Sequence, residues 1–309
     1  MAAILGLGKH LPERVVTSGE LAELLGVEER WIIDACGIRE RRWAAENEGV
    51  EDLAEGAARR ALEASGLEPA QLKGLIVGSG TPSRQFPGVS ADLQRRLGCP
   101  GIPAFDIHLA SSGGMAALCT AARLCEGDGP WLVVGAEKMS PIVQRDLAKE
   151  TAILFGDGAG AAVVAPGEGG IRILDQLWAG DGSFADELSL EFNGALRMNG
   201  RAVILQANRK LVGVIKELLA RQGLDSSQVD LFLFHQANLN LLQQVGRTLG
   251  ADPAKVPITL DRYGNTSAAS VLIAAAEAQE RGLLRPGTLA VMAAFGAGFS
   301  WGGLLLRAG

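Results

Sequence analysis

The chain has 309 residues, of which 48% are hydrophobic and 21% are charged, and its formal net charge at pH 7 is −6. This composition is too apolar for a disordered protein, and the negative charge argues against a general nucleic-acid-binding protein. No stretch reaches the roughly 18 consecutive apolar residues of a membrane span. The length predicts two domains or one large double domain.

The N-terminal segment and the cysteines indicate a reduced, cytoplasmic chain. Lys9, Glu13 and Arg14 interrupt the first apolar stretch too early for a secretion signal. The four cysteines lack CxxC spacing, and no histidine lies near them at the spacing of a zinc site. We therefore expect no metal site, and we expect the cysteines to fill the core. They are Cys36, Cys99, Cys119 and Cys125.

Two segments of the chain repeat each other at a spacing of 157 residues. Residues 61–77 and 218–234 each have the pattern of a helix that ends at glycine, an acidic turn and a strand, with Gly66 matching Gly223. Strands that alternate with helices in two matching halves predict an α/β protein with parallel strands sandwiched by helices.

Each half also contains a helix rich in Ser, Ala and Gly. These helices begin near Ser112 and Ser267, and neither carries charge in its first turns, which is typical of a helix covered on all sides. Duplication therefore predicts a pseudo-twofold molecule. We place the boundary in the break near 166–172, giving halves of residues 1–168 and 169–309.

A pair of serines lies where a strand of the first half meets its buried helix. The strand is predicted to end near Ala110 and the helix to cover residues 113–124, so Ser111 or Ser112 faces the positive end of the helix dipole. Spacing alone favours an N-cap, worth about 1 kcal/mol. A nucleophile is the alternative, and it needs partners from elsewhere in the fold.

His235 is the most informative of the three histidines. It ends the apolar run 231–234 and opens a polar tetrad, as expected of a buried strand that stops at a cavity. Imidazole is suited to hydrogen bonding or proton exchange near neutral pH. A second polar segment, around Asn265, follows in the same half. His108, by contrast, is predicted to be a buried histidine with satisfied hydrogen bonds.

Five motifs, in order along the chain, resemble β-ketoacyl-acyl-carrier-protein synthase III, a 3-oxoacyl-synthase family of the thiolase fold. They are GIRER at 37–41, FGDGAG at 155–160, HQAN at 235–238, YGNTSAAS at 263–270 and FGAGFSWG at 295–302. The resemblance implies an α/β thiolase fold, with five α-β-α-β-α layers built from two duplicated halves.

The resemblance also implies a Cys-His-Asn triad. The thiolate takes an acyl group from acyl-coenzyme A; malonyl carrier protein then loses carbon dioxide, and the carbanion attacks the acyl group. His235 and Asn265 match the pair that hydrogen-bonds the malonyl thioester oxygen. The backbone N–H of Ala297 and that of the nucleophile match the acyl oxyanion hole. Acyl-coenzyme A is implied as a substrate, and no cofactor is implied.

The family's cysteine falls on Ser111. A hydroxyl ionises far less readily than a thiol and needs a general base, for which His235 is the candidate. An oxygen ester would also be a poorer acyl donor than a thioester. Three alternatives remain open: a natural serine-dependent acyltransferase or slow synthase, an engineered Cys-to-Ser form, and an inactive homologue that binds acyl-coenzyme A. Departures at 108–109 and 112–114 favour a natural variant, and retention of both His235 and Asn265 favours chemistry.

Other matched positions predict where substrate and partners bind. Trp31 matches the residue that stacks on the adenine of coenzyme A, and Lys149 matches the arginine beside it. Phe86, Arg201 and Ile204 are expected to shape the acyl tunnel. Phe86 also matches a residue that crosses a dimer interface and closes the partner's pocket, so an obligate homodimer is implied.

An acyl carrier protein is the second implied partner. The family's basic docking positions fall on Asn240 and Leu205 here, so carrier docking would need another patch. The basic side chains that form this patch, or else are ordinary solvated charges, are Arg201, Arg209, Lys210 and Arg247.

Overall fold

Strands and helices alternate along most of the chain in a computed structural model that describes residues 1–191 and 194–309. The strands of the described residues are β1 (Ala2–His10), β2 (Val15–Thr17), β3 (Glu40–Arg42), β4 (Gly74–Gly78), β5 (Ala104–Ile107), β6 (Trp131–Glu137), β7 (Gly158–Pro166), β8 (Ile171–Gly180), β9 (Leu188–Leu190), β10 (Leu196–Met198), β11 (Leu231–Phe234), β12 (Leu289–Gly296) and β13 (Ser300–Ala308). The helices are α1 (Ser18–Leu25), α2 (Glu29–Cys36), α3 (Val50–Ser65), α4 (Val89–Leu97), α5 (Gly113–Asp128), α6 (Ser140–Asp146), α7 (Lys149–Ala152), α8 (Gly200–Arg221), α9 (Leu239–Leu249), α10 (Leu260–Tyr263) and α11 (Ser270–Glu280).

The main sheet consists of two halves with the same strand order. Across the described residues its order is β11-β12-β13-β8-β1-β7-β6-β4-β5. In the first half, β4 and β6 are parallel, and β6–β7 and β7–β1 are antiparallel. In the second half, β11 and β12 are parallel, and β12–β13 and β13–β8 are antiparallel. This match confirms the predicted duplication.

Helices cover both faces of each half. In the first half α3 and α4 pack on the outer face, in the second half α8 does so with α9 beside it, and α5 and α11 lie between the halves. Separate groups of buried apolar side chains fill the spaces between these layers. The five predicted layers are therefore present. Among the described residues, no helix combines the length and apolar character needed to cross a membrane.

The repeated segments adopt the same local structure. α3 is followed by Gly66 at φ 69° and α8 by Gly223 at φ 67°, the left-handed conformation that glycine adopts without steric cost. In the acidic turns, Gln71 and Gln228 each accept the backbone N–H of the residue three positions earlier, at 2.8 and 3.0 Å. The predicted boundary between residues 168 and 169 falls in the connection between β7 and β8. The division into two domains at that point stays a prediction.

The two halves approach each other too closely for side chains at their contact. A Cβ atom on Gly114 of α5 would lie 2.3 Å from the carbonyl oxygen of Ala268, and one on Gly135 of β6 would lie 2.4 Å from the same oxygen. Interiors are packed to crystal-like density, so backbone atoms cannot move aside for an added methyl group. The glycines thus set the distance between the halves.

Gly114→Ala is expected to lower the free energy of unfolding by about 1–3 kcal/mol, because the added methyl group overpacks this contact. Urea denaturation measures the change. Gly127→Ala, in the same helix but with nothing within 4 Å of the added Cβ, is the matched control and is expected to be neutral or stabilising. Equal destabilisation by both substitutions would contradict the packing account.

Candidate active site

Two strained turns mark where the buried helices begin. Ala110, before α5, has φ 44°, and Ser267, before α11, has φ 48°. They lie 157 positions apart, the spacing of the repeat. The left-handed region costs a non-glycine residue about 1–2 kcal/mol, and such residues cluster at functional sites. The duplication therefore places two strained turns at the centre of the molecule, one from each half.

Both turns open onto a cavity of about 1060 Å³. This volume is at the upper end of the range of small-molecule sites, about 300–1,000 Å³. Apolar side chains from α8 and from the paired strands β9 and β10 cover much of its wall. The predicted site residues that line it are Trp31, Ser111, Ile204, His235, Asn265 and Ala297.

The Ser111 hydroxyl faces the second half of the molecule. Its Oγ lies 3.5 Å from the Oγ of Ser267, and the Ser112 hydroxyl donates to the carbonyl of Leu109 at 2.9 Å. The Ser111 hydroxyl contacts Ser267 and the Ser112 hydroxyl donates to Leu109, so neither hydroxyl caps α5. The N-cap interpretation favoured by spacing is therefore wrong. Gly296 packs on this turn, because a Cβ there would lie 2.5 Å from the Ser112 nitrogen. Its neighbour Ala297 lines the same cavity as Ser111.

His235 is a buried, neutral imidazole. It follows β11 directly, and its backbone N–H donates to the carbonyl of Ala293 at 2.8 Å, which continues the pairing with β12. Burial lowers the pKa of His235 to about 3, because the cationic ring loses its hydration. The ring is therefore uncharged at pH 7 and can offer one N–H and one lone pair.

Ser270 determines which ring nitrogen carries the proton. Its Oγ is hydrogen-bonded to His235 Nδ1 and accepts the backbone N–H of Gln236 at 3.1 Å. Among the described residues the Ser270 hydroxyl meets no other acceptor, and an unpaired buried hydroxyl costs about 1–3 kcal/mol. We therefore assign the Ser270 O–H as donor to Nδ1. The proton of His235 is then on Nε2.

Asn265 is held by both its backbone and its side chain. Its backbone N–H donates to Leu154 O at 2.8 Å, and its carbonyl accepts the N–H of Gly156 at 3.1 Å. The side-chain Oδ1 accepts the N–H of Ser267 at 2.9 Å. Because the oxygen is occupied, the Nδ2 hydrogens are the part of the amide that remains to donate.

Glu137 lines the same cavity and was not predicted. It ends β6 and is completely buried, and one carboxylate oxygen accepts hydrogen bonds from the loop after β4. A signal was available, since an acidic residue ends the apolar run 131–136, just as His235 ends the run 231–234. Ser270 carried no such signal, because a serine at a helix start has an ordinary capping interpretation.

Three predicted binding residues are not part of the cavity wall. Lys149 is exposed on α7, where Glu150 lines the cavity instead. Arg201 is exposed in the first turn of α8, and Phe86 is 83% exposed in the loop before α4. The expected tunnel contacts of Arg201 and Phe86 are therefore not made within one chain.

His108 and the cysteines differ in how well they were predicted. His108 is exposed and lines the cavity, so its predicted burial is wrong: it follows β5, the last strand at one edge of the main sheet in the described part of the chain. All four cysteines are free and buried, as expected. Burial raises the pKa of Cys119, in α5 beyond Ser111, to about 12, so its thiol stays protonated.

Across the described ranges, no group of acidic, His and Cys side chains has a metal-site arrangement.

Comparison with known proteins places the chain in a family. Residues 105–182 match the model of 3-oxoacyl-[acyl-carrier-protein] synthase III, and residues 219–308 match that of its C-terminal part. The β-ketoacyl-[acyl-carrier-protein] synthase III of Rhodospirillum rubrum is 40% identical, over 99% of both chains. That of Oleidesulfovibrio alaskensis is 37% identical, over 98% of both.

The fold agrees with a solved structure over nearly its whole length. The 3-oxoacyl-[acyl-carrier-protein] synthase III of Aquifex aeolicus superposes with a TM-score of 0.95 at 36% identity, covering 99% of this chain and 100% of that one. The fold is that of a thiolase-fold condensing enzyme. Within that class, the chain belongs to the 3-oxoacyl-[acyl-carrier-protein] synthase III family.

Proposed function

We propose that the chain transfers an acyl group from acyl-coenzyme A to Ser111 and condenses it with malonyl carrier protein. One observation carries the proposal. Ser111, His235 and Asn265 come from three separate segments, yet they line one cavity and are only 9%, 5% and 6% exposed. Side chains of this polarity are seldom buried together without a partner or a function.

Acylation begins with attack of the Ser111 hydroxyl oxygen on the thioester carbonyl. The C–S bond breaks, an oxygen ester forms, and the proton of the hydroxyl ends on the departing coenzyme A thiol. The backbone N–H groups of Ser111 and Ala297 are proposed to stabilise the carbonyl oxygen as it gains negative charge.

Condensation uses His235 and Asn265 as hydrogen-bond donors. The malonyl thioester loses carbon dioxide, and His235 Nε2–H and Asn265 Nδ2–H stabilise the enolate oxygen that forms. The carbanion attacks the ester, the Ser111 oxygen leaves and takes up a proton from solvent, and 3-oxoacyl carrier protein is released. The proton arrangement imposed by Ser270 favours this donor role over the role of base that Ser111 would require.

Acyl transfer without condensation is the second candidate. The serine itself favours it, because an oxygen ester is a poorer acyl donor to a carbanion than a thioester. An inactive homologue that only binds acyl-coenzyme A, engineered or natural, is less well supported, since the hydrogen bonds that orient His235 and Asn265 are all present.

Substrate and carrier protein are proposed to enter past α2 and α8. Trp31, half exposed at the wall, is suited to stack on adenine, and Arg145 lines the cavity where Lys149 does not, so we assign the phosphate contact to Arg145. The exposed Arg201, close in sequence to the lining Ile204, is proposed to meet the acidic carrier protein. A cytoplasmic location remains part of the proposal.

The homodimer is tested at Phe86. Such an exposed phenylalanine beside the cavity-lining Gln85 is expected to be covered by a second copy. Phe86→Ser should shift the protein toward monomer in sedimentation velocity, while Leu24→Ser, at a hydrophobic position 53% exposed on α1, should not. A monomeric unmodified protein, or equal effects of both substitutions, would contradict this assignment.

Condensation is tested with acetyl-coenzyme A and malonyl carrier protein. Intact mass spectrometry of the carrier should show the 3-oxobutanoyl product. An acylated enzyme that gives no such product would support transfer without condensation, and no acylation at all would support the binding homologue.

A further inference from the structure

Glu137 lies between the two halves, at the wall of the cavity, and among the described residues its carboxylate has no cationic partner. Glu137 is completely buried, and the neighbouring Lys138 is directed away, with its Nζ donating to the carbonyls of Ala45 and Glu48 at 2.8 and 2.6 Å. A buried charge of this kind persists only when hydrogen bonds replace its hydration. The N–H and O–H groups that donate to Glu137 therefore show which segments the carboxylate holds in place.

The first set of donors belongs to the loop after β4. Glu137 Oε1 accepts the N–H of Gly80 at 2.7 Å, the Thr81 hydroxyl at 2.9 Å and the Ser79 hydroxyl at 3.1 Å. The same loop lies against the turn that carries Ser111, because a Cβ on Gly80 would be 3.6 Å from the Cα of Ala110. Among the described residues, Oε1 of Glu137 thus accepts hydrogen bonds only from the first half of the molecule.

The second oxygen reaches the other half. Glu137 Oε2 accepts the backbone N–H of Ala268 at 3.3 Å. The preceding N–H in the chain, that of Ser267, donates to Asn265 Oδ1 and fixes the orientation of the Asn265 amide. Ser267 is in the left-handed conformation, so this turn needs support from its surroundings to persist.

We infer that Glu137 is a positioning residue, which holds the Ser267–Ala268 turn so that Asn265 presents its Nδ2–H donors to the reacting thioester. The inference rests on the proposed function, in which Asn265 is one of the two enolate donors. It predicts that the carboxylate acts on condensation through Asn265, and only weakly on acylation of Ser111.

Glu137→Gln distinguishes the contacts of the two carboxylate oxygens. The amide can keep its oxygen toward the Ser79–Thr81 loop, but it then presents NH₂ to the N–H of Ala268, where a donor meets a donor. We expect the kcat of condensation to fall about tenfold, since small displacements of catalytic groups have large effects on rate. The KM for malonyl carrier protein and the rate of acylation by acetyl-coenzyme A should change less than about threefold.

A double-mutant cycle with Asn265→Ala makes the test specific. In that background Glu137→Gln should have no further effect on condensation, because the group it positions is gone. Asp157→Asn is the control: Asp157 is equally buried and accepts the N–H of Ser140 and of Ala44, both at 2.8 Å. It should change the unfolding temperature and leave the kcat of the folded enzyme within about twofold.

Additive effects in the cycle, or equal losses of acylation and condensation, would overturn the role of Glu137. If Asn265→Ala alone left condensation intact, the proposed function would fail instead. Should Glu137→Gln not fold, Glu137→Asp, which keeps the charge but shortens the side chain, carries the same expectation for the cycle.

Discussion

Asn265→Asp should lower the rate of condensation by about 10²–10³-fold, the usual effect of removing one donor to a developing oxyanion. The aspartate retains an oxygen that can accept the N–H of Ser267, so the turn is preserved. It loses both Nδ2 hydrogens and adds negative charge where the enolate forms. The readout is release of carbon dioxide from malonyl carrier protein in single-turnover experiments with the acylated enzyme.

His235→Ala should have an effect of the same order, because it removes the Nε2–H donor. Acylation of Ser111 by acetyl-coenzyme A serves as the internal control, and it should stay within about fivefold in both variants if His235 acts as a donor and not as a base. Loss of acylation in His235→Ala with retention in Asn265→Asp would instead make His235 the base that activates Ser111.

Ser111→Cys should raise the rate of condensation by roughly 10²-fold, the lower end of what a general base contributes. A thiol with an ordinary pKa near 8.5 is already a few per cent ionised at pH 7, and the N-terminus of α5 favours the thiolate further. The serine lacks this advantage and forms the less reactive ester. Stopped-flow or quench measurements of acylation and condensation separate the two steps.

Ser111→Ala is the matched control for the cysteine variant, with the same turn and no nucleophile. It should retain binding of acyl-coenzyme A and show neither step. A cysteine variant no faster than the unmodified protein would mean that the site has adapted to the serine, and that another group removes the hydroxyl proton.

The fold could be predicted from the sequence largely because the two halves repeat the same pattern of elements. The helix-glycine-turn-strand pattern at 61–77 and 218–234 recurs with the same left-handed glycines, Gly66 and Gly223, and the same glutamine contacts in the turns. Local backbone preferences of this kind depend on few residues, so they can be recognised from the sequence. The join between the halves, through β1 and β8, had no comparable pattern in the sequence.

The candidate site was predictable where a polar residue ends an apolar strand. His235 directly follows the apolar strand β11, and it lines the cavity. Asn265 follows no strand and was found through the resemblance of its motif; it lines the cavity too. Interactions across the halves were not predictable: the contact of Glu137 with Ala268 joins residues 131 positions apart. Exposure was also misjudged at His108, since the position of β5 at the edge of the sheet depends on the order of strands that are far apart in the chain.

The central claim is that Ser111 carries the acyl group, and one measurement tests it directly. The unmodified protein is incubated with acetyl-coenzyme A, digested at acidic pH to preserve esters, and mapped by tandem mass spectrometry. The account predicts an acetyl group on Ser111, absent from Ser111→Ala. Acetylation at another residue, or none in a folded protein that binds coenzyme A, would contradict it.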